Sequence, residues 1–375
     1  MSIVTDNFNK SQEKNNDAKK IKLVIWDLDN TIWKGILAED KKVSLVEGIV
    51  DIIRTLDERG ILQSVVSKNN YNEAMAQLEA FNIDKYFIYP QIGWDRKSVY
   101  IKEIIRLINI GEDTVMFIDD QPFERDEVKF SLPNVSCLDV VNIPDMLSMP
   151  SLNPLFITSD AKNRRQLYQN DIVRNEVKEQ FNGTEEEFLK HLGMKFTISN
   201  ATEEDLQRAE ELTVRTHQLN STGYTYSYDE LKDFIKSDNH ILLIAELEDK
   251  YGSYGKIGLS LVECCENFWT LKLLLMSCRV VSRGVGTILL CHIMNMAKKK
   301  SKKLRAEFVC TDRNRMMYLT YKLAGFKEKK IDNGITILEN DLTYIQPYPE
   351  YLVLCFNDEI KYQSSKGDEY IGKKA

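Results

Sequence analysis

Two aspartates one residue apart, Asp27 and Asp29, close the apolar stretch "IKLVIW" and open the run "DLDNT". In a strand, residues i and i+2 face the same side, so both carboxylates would point at one spot. Crowded carboxylates are costly without a neutralising partner. Hard oxygen donors suit Mg²⁺. The other reading of these residues is a strand followed by a hydrated Asp-Asn turn. Further along, "ILQSVVSKNN" ends a strand on Ser67, "KSVYIKEIIRLINI" opens a helix near Lys97, and "DTVMFIDD" ends a strand on Asp119 and Asp120. Together these groups make a phosphate site. Asp27 would attack phosphorus, since carboxylates can carry a phosphoryl group covalently. Asp29 would protonate the leaving oxygen and later activate water. Ser67 and Lys97 would hold the equatorial oxygens. Asp27, Asp119 and Asp120, with Asp29 beside them, form the candidate Mg²⁺ set that offsets the charge. Taken singly, Ser67 also fits a helix N-cap, Lys97 a solvated helix residue, and Asp119-Asp120 a turn.

The elements that must position these groups are legible. Ile21 and Leu23 to Trp26 are nearly continuous apolar residues, which suits a parallel strand buried on both faces. "LVEGIVDIIRTLDERG" has helical spacing at Ile49, Ile52, Ile53 and Leu56, with Gly60 as its C-terminal stop. "YNEAMAQLEAFNI" reads as a helix and "KYFIYPQIGW" contains a short strand. Strands alternating with helices imply a parallel sheet with right-handed crossovers, in an α/β domain over 21–150. Ligands bind at the carboxyl edge of such a sheet. The gap from Thr31 to Ser67 holds one hairpin-sized stretch and a helix, and the gap from Ser67 to Lys97 is shorter. Neither has room for an inserted domain, since domains start near about 50 residues. The site is therefore expected to be open.

Length and composition bound the rest. A chain of 375 residues favours two to three domains. A net charge of −7 disfavours nucleic acid as a partner. No apolar run approaches the roughly 20 residues that a membrane helix needs. "MSIVTDNFNKSQEKNNDAKK" lacks the apolar core of a signal peptide and reads as a disordered tail over 1–20. The seven cysteines have no metal-like spacing, so reduced thiols and a cytoplasmic location are expected.

Residues 151–193 read as charged linking helices. From Met194 the order changes to strand, two helices, three strands, a long helix, a further strand and helix, and a hairpin, which is an α+β pattern over 194–345. The first of those helices is read through "TEEDLQRAEELTVRTHQLN", where His217 is a packed helix residue or a base. The stretch from 346 to the end is read as a tail of no assigned function. The loop "SRGVG", Ser282 to Gly286, opens the long helix. Small residues let the backbone approach a ligand, and a helix N-terminus attracts phosphate oxygens; a tight turn fits the same residues. The cluster "KKKSKKLR" would attract an acidic carrier protein or complement a helix C-terminus.

"DLDNT", Ser67, Lys97 and "FIDD", in that order over 21–145, resemble the four motifs of the haloacid dehalogenase superfamily. "SRGVG" resembles the pyrophosphate-binding loop of the GNAT acyltransferase superfamily, which implies that Arg279, Arg283, Gly284 and Gly286 bind phosphopantetheine or coenzyme A. That family's usual Gln or Arg before the first glycine is Val281 here. From Ile21 to Phe326 the two halves together resemble the FkbH-like proteins, through "WDLDNTIWKG", "SKNN", "FIDDQPFER", "ELTVRTHQLNSTG", "LLLMSCRVVSRGVG" and "TDRN…YKLAGF". This resemblance implies a capless phosphatase domain joined to a GNAT-like domain. It also implies an activity: 1,3-bisphosphoglycerate is dephosphorylated and its glyceryl unit passes to the phosphopantetheine thiol of an acyl carrier protein. Cys278, beside Arg279, would hold the acyl group as a thioester, because neighbouring positive charge raises a thiol's thiolate fraction; a small buried hydrophobe is its other reading. Two further functions remain open. One is a Mg²⁺-dependent phosphatase with a non-catalytic second domain; the other is an acetyl-CoA-dependent acyltransferase in polysaccharide or secondary-metabolite assembly.

Overall fold

A computed structural model describes residues 20–40 and 42–357. The expected N-terminal tail, up to residue 19, lies outside the described residues. The chain divides into two units, Met1–Leu192 with Glu248–Gly255, and Gly193–Leu247 with Lys256–Ala375.

The first unit is built on a five-stranded sheet. Its strands are β1 (Leu23–Trp26), β4 (Leu62–Ser67), β5 (Gln91–Ile92), β6 (Val115–Asp119) and β7 (Ser136–Asp139), in the order β5-β4-β1-β6-β7. Every neighbouring pair is parallel. Strand β1 is central, and its residues alternate between two cores. Val24 and Trp26 join Ile53, Leu56 and Leu78 on one face. Leu23 and Ile25 join Ile101, Ile104 and Phe117 on the other. Burial on both faces is why β1 is continuously apolar in sequence. Helices Ile49–Glu58, Tyr71–Ala80, Lys97–Ile108 and Pro122–Ser131 carry the crossovers. The first of these stops where expected, with Gly60 at φ 68° just past its end.

Between β1 and the first helix, β2 (Trp33–Lys34) and β3 (Ser44–Leu45) pair antiparallel as a small flap. Among the described residues no further domain stands between Thr31 and Lys97. The charged stretch read as linking helices forms Ser159–Lys162, Arg164–Gln180 and Glu185–Leu192, and it clusters with the first unit. A fully buried arginine explains part of this. Arg174 forks Asp249 from Nε and Nη2, each at 2.8 Å, and Nη2 also donates to the Gly252 carbonyl at 2.8 Å.

The second unit holds an eight-stranded sheet in the order β13-β14-β12-β11-β10-β9-β8-β15. The strands are β8 (Met194–Asn200), β9 (His240–Asp249), β10 (Gly252–Cys264), β11 (Phe268–Met276), β12 (Lys303–Phe308), β13 (Lys327–Asp332), β14 (Ile335–Asn340) and β15 (Leu352–Asn357). Helices flank it, as an α+β pattern requires. Two expectations need correction here. Of the segment expected as a tail from residue 346, residues 358–375 lie outside the described residues, and the described part is not simply a tail, because Leu352–Asn357 pairs in parallel with β8 along its length. The helix expected through Asn220 ends at Arg215, and His217 is exposed outside it. The chain leaves the helix to bridge two diverging strands. β11 and β12 pair only over Phe268–Leu271 and Lys303–Ala306. Beyond that point Leu219 accepts from Met276 N at 2.9 Å. Ser221 donates to Leu274 O and accepts from Val309 N, both at 3.0 Å. Satisfying those strand edges outweighs the local helix pattern.

Candidate active site

The carboxyl ends of β1, β4 and β6 carry the site. Asp27 directly follows β1, Ser67 ends β4, Asp119 ends β6, and Lys97 is the first residue of its helix. Lys97 Nζ lies 2.8 Å from Asp27 Oδ1 and 2.5 Å from Asp119 Oδ2. All three are nearly sealed: Asp27 is 4% exposed, Lys97 3% and Asp119 0%. Lys97 is therefore the buried link between two carboxylates and not a solvated helix residue. Asp119 Oδ1 accepts from Gln121 N at 2.8 Å, and Arg125 Nη1 donates to the Asp119 carbonyl at 2.7 Å. Nor is Ser67 the cap of the helix that follows it. That role falls to Asn70, whose side chain accepts from Asn72 N and Glu73 N.

Electrostatics identify the kind of ligand the site fits. Burial pushes the Asp27 carboxyl up to about 7; Lys97 opposes the rise and neighbouring Asp119 adds to it. Burial pushes against charge on Lys97 too, but Asp27 and Asp119 hold it above its ordinary value. Asp120 is also raised, by burial and then by Asp119. Ligand oxygens of Asp27, Asp119 and Asp120 lie within 4.8 Å of one another. Asp120 Oδ1 is buried with no hydrogen-bond partner among the described residues. With all groups ionised, three carboxylates against one ammonium leave an excess of two negative charges. A divalent cation with oxygen ligands fits both the excess charge and the orphaned oxygen. Asp29 does not join this set as the sequence suggested. Its Oδ1 accepts from Trp33 Nε1 at 2.8 Å and Leu37 N at 3.1 Å, and its Oδ2 accepts from Asn69 Nδ2 at 3.0 Å.

Trp33 and Asn69 are the contributors that sequence reasoning gave no role. Trp33 reads as one more apolar residue, and nothing local marks its indole N–H as a donor to Asp29. In "SKNN" the two asparagines are indistinguishable by type; Asn70 caps a helix while Asn69 is buried beside the acids.

In the second unit Cys278 is half-buried and begins the 3₁₀ turn Cys278–Arg283, with Arg279 adjacent. Gly284, at φ 72°, then caps the helix Val285–Lys299. The close approach at Gly284 is made by this chain itself. The Tyr351 hydroxyl donates to the Arg283 carbonyl at 3.2 Å and would lie 2.6 Å from a Cβ at Gly284. A pocket of about 170 Å³ remains between Thr287, Ile288 and Cys291 on the helix and the segment Gln346–Tyr351. Lys298 and Lys299 stand in the last turn of the helix, where they complement its dipole.

Residues 4–127 match the family model of haloacid dehalogenase-like hydrolases. The first unit thus carries a haloacid dehalogenase-like hydrolase domain. No curated protein matches the chain. Among solved structures, it is similar to the N-terminal part of a Bacteroides fragilis protein containing a phosphatase domain complexed with Mg. That match has 29% identity over 40% of this chain and 43% of that chain, with a TM-score of 0.31. The chain therefore spans less than half of that relative. It is also similar to the PaiA N-acetyltransferase of Thermoplasma acidophilum in complex with coenzyme A, at 18% identity over 39% of this chain and 98% of that one, TM-score 0.32. A third is a HAD-superfamily hydrolase from Ehrlichia chaffeensis, at 16% identity over 35% and 97%, TM-score 0.29. No helix among the described residues is long and apolar enough to cross a membrane.

Proposed function

We propose that the first unit is a Mg²⁺-dependent phosphatase working through a phosphorylated Asp27. The observation that carries this is the sealed Asp27–Lys97–Asp119 bridge beside the orphaned oxygen of Asp120. Asp27, Asp119 and Asp120 would hold Mg²⁺, which supplies charge neutralisation for phosphoryl transfer. Lys97 holds Asp27 Oδ1 and offers its positive charge to the incoming phosphoryl oxygens. A carboxylate oxygen of Asp27 bonds to phosphorus as the ester bond breaks, and Asp29 gives its proton to the leaving oxygen. Asp29 then takes a proton from water as that water attacks phosphorus and frees Asp27. Phosphate release in Mg²⁺ tests this: it should appear with the wild type and vanish in Asp27→Asn.

For the whole chain, we infer an FkbH-like glyceryltransferase-phosphatase of the cytoplasm. It acts on 1,3-bisphosphoglycerate: the Cys278 thiol displaces the acyl phosphate as inorganic phosphate, the first unit hydrolyses the remaining phosphate ester with water, and the phosphopantetheine thiol of an acyl carrier protein takes the glyceryl unit and frees the Cys278 thiol. An acyl phosphate is an activated donor to a thiol, and Cys278 supplies one at the start of the turn Cys278–Arg283. In this reading Arg279, Arg283, Gly284 and Gly286 meet the pantetheine phosphate. Incubation with 1,3-bisphosphoglycerate and a holo carrier protein, followed by mass measurement of the carrier, should reveal a glyceryl adduct. An unchanged carrier mass, with phosphate release intact, leaves the phosphatase alone standing.

A further inference from the structure

One buried amide serves two groups of the phosphatase site. Asn69 Nδ2 donates to Asp29 Oδ2 at 3.0 Å and to Ser67 Oγ at 3.1 Å, and Asn69 is 2% exposed. A primary amide has two hydrogens, so both are in use. At Ser67, one lone pair is taken by the amide, and the single hydroxyl hydrogen is left to be donated to a phosphate oxygen. At Asp29, a carboxylate offers about four lone-pair sites. Trp33 Nε1 and Leu37 N occupy the two on Oδ1, and Asn69 occupies one on Oδ2. The site left for a transferable proton is therefore on Oδ2, the oxygen that Asn69 holds.

We propose that Asn69 is the positioning residue that aims Asp29 Oδ2 and the Ser67 hydroxyl at the same phosphoryl group, and that it makes the site suited to alkyl phosphate monoesters. This rests on the phosphatase reading above. An alkyl leaving oxygen needs a proton as its bond to phosphorus breaks, and Asp29 Oδ2 delivers it. An aryl leaving oxygen departs as a stabilised anion and depends little on that proton.

The dependence on the leaving group is the readout, because a merely structural asparagine would affect both substrates alike. Values of kcat/KM are measured in Mg²⁺ for glycerol phosphate and for p-nitrophenyl phosphate. For Asn69→Ala, the loss on the alkyl ester should exceed the loss on the aryl ester by about tenfold, a share of the full general-acid effect. Trp33→Phe removes a donor to Asp29 but none to Ser67, so it should shift the same ratio in the same direction. If Asn69→Ala does not fold, Asn69→Ser carries the test, since one short hydroxyl cannot serve both partners. Equal losses on the two esters, with the wild type active and Asp27→Asn inactive, overturn the assignment of Asn69 alone. A wild type that hydrolyses no monoester overturns the phosphatase reading and this assignment with it.

Discussion

At the scale of single residues, the account rests on acids kept out of water. Asp27 holds its proton to about pH 7 when folded, against an ordinary value near 3.9. Between those values the folded chain binds more protons than the unfolded one, so stability falls as pH rises from about 4 to about 7. Without Mg²⁺, wild-type melting temperature should therefore drop across that window more than that of Asp27→Asn. Thermal melts in chelator at pH 5 and pH 8 check this; parallel pH responses of the two proteins would contradict it. Asp27, Ser67, Lys97, Asp119 and Asp120 were legible in the sequence because each stands where an apolar strand ends or a helix begins. Asp29 was legible as an acid but not as a group held by the indole of Trp33, the Leu37 N–H and the amide of Asn69. Those partnerships join residues from different elements, and no local pattern encodes them.

At the scale of elements, legibility follows how local each pairing is. Strand β1 shows in the sequence as a doubly buried apolar run, and the helix after it shows its period and its terminal glycine. Strand β15 does not, because "LVLCF" is short and its partner β8 lies 158 residues earlier in the chain. The linking helices read simply as charged, yet one of their arginines is the most buried cation among the described residues of the unit. Arg174 and Asp249 both have side chains 0% exposed. Removing one partner of such a pair strands the other charge in a dry site, at about 3–5 kcal/mol. Arg174→Ala should lower unfolding free energy by that order in a denaturant titration, and a loss within about 0.5 kcal/mol would fit a solvated surface arginine instead. Gly284 makes a second prediction at this scale. Alanine there would sit at φ 72° and press its Cβ against the Tyr351 hydroxyl. A non-glycine residue forced into that region costs about 1–3 kcal/mol. Part of the loss should return in Gly284→Ala combined with Tyr351→Phe, as a melting series would show.

At the scale of the whole molecule, a hydrolase-type site with no inserted domain between Thr31 and Lys97 among the described residues is joined in one chain to a unit with a half-buried cysteine next to an arginine in sequence. If the two units carry separate steps, their defects separate. Cys278→Ala should keep Mg²⁺-dependent phosphate release and lose transfer to the carrier protein; loss of both activities would argue against divided labour. The central claim is narrower, that Asp27 accepts a phosphoryl group. Its most direct test is mass spectrometry of the enzyme quenched in acid during turnover of a phosphate monoester with Mg²⁺. The account predicts one added phosphoryl group on the peptide containing Asp27. Continued phosphate release with that peptide never modified, or with activity surviving Asp27→Asn, would contradict it.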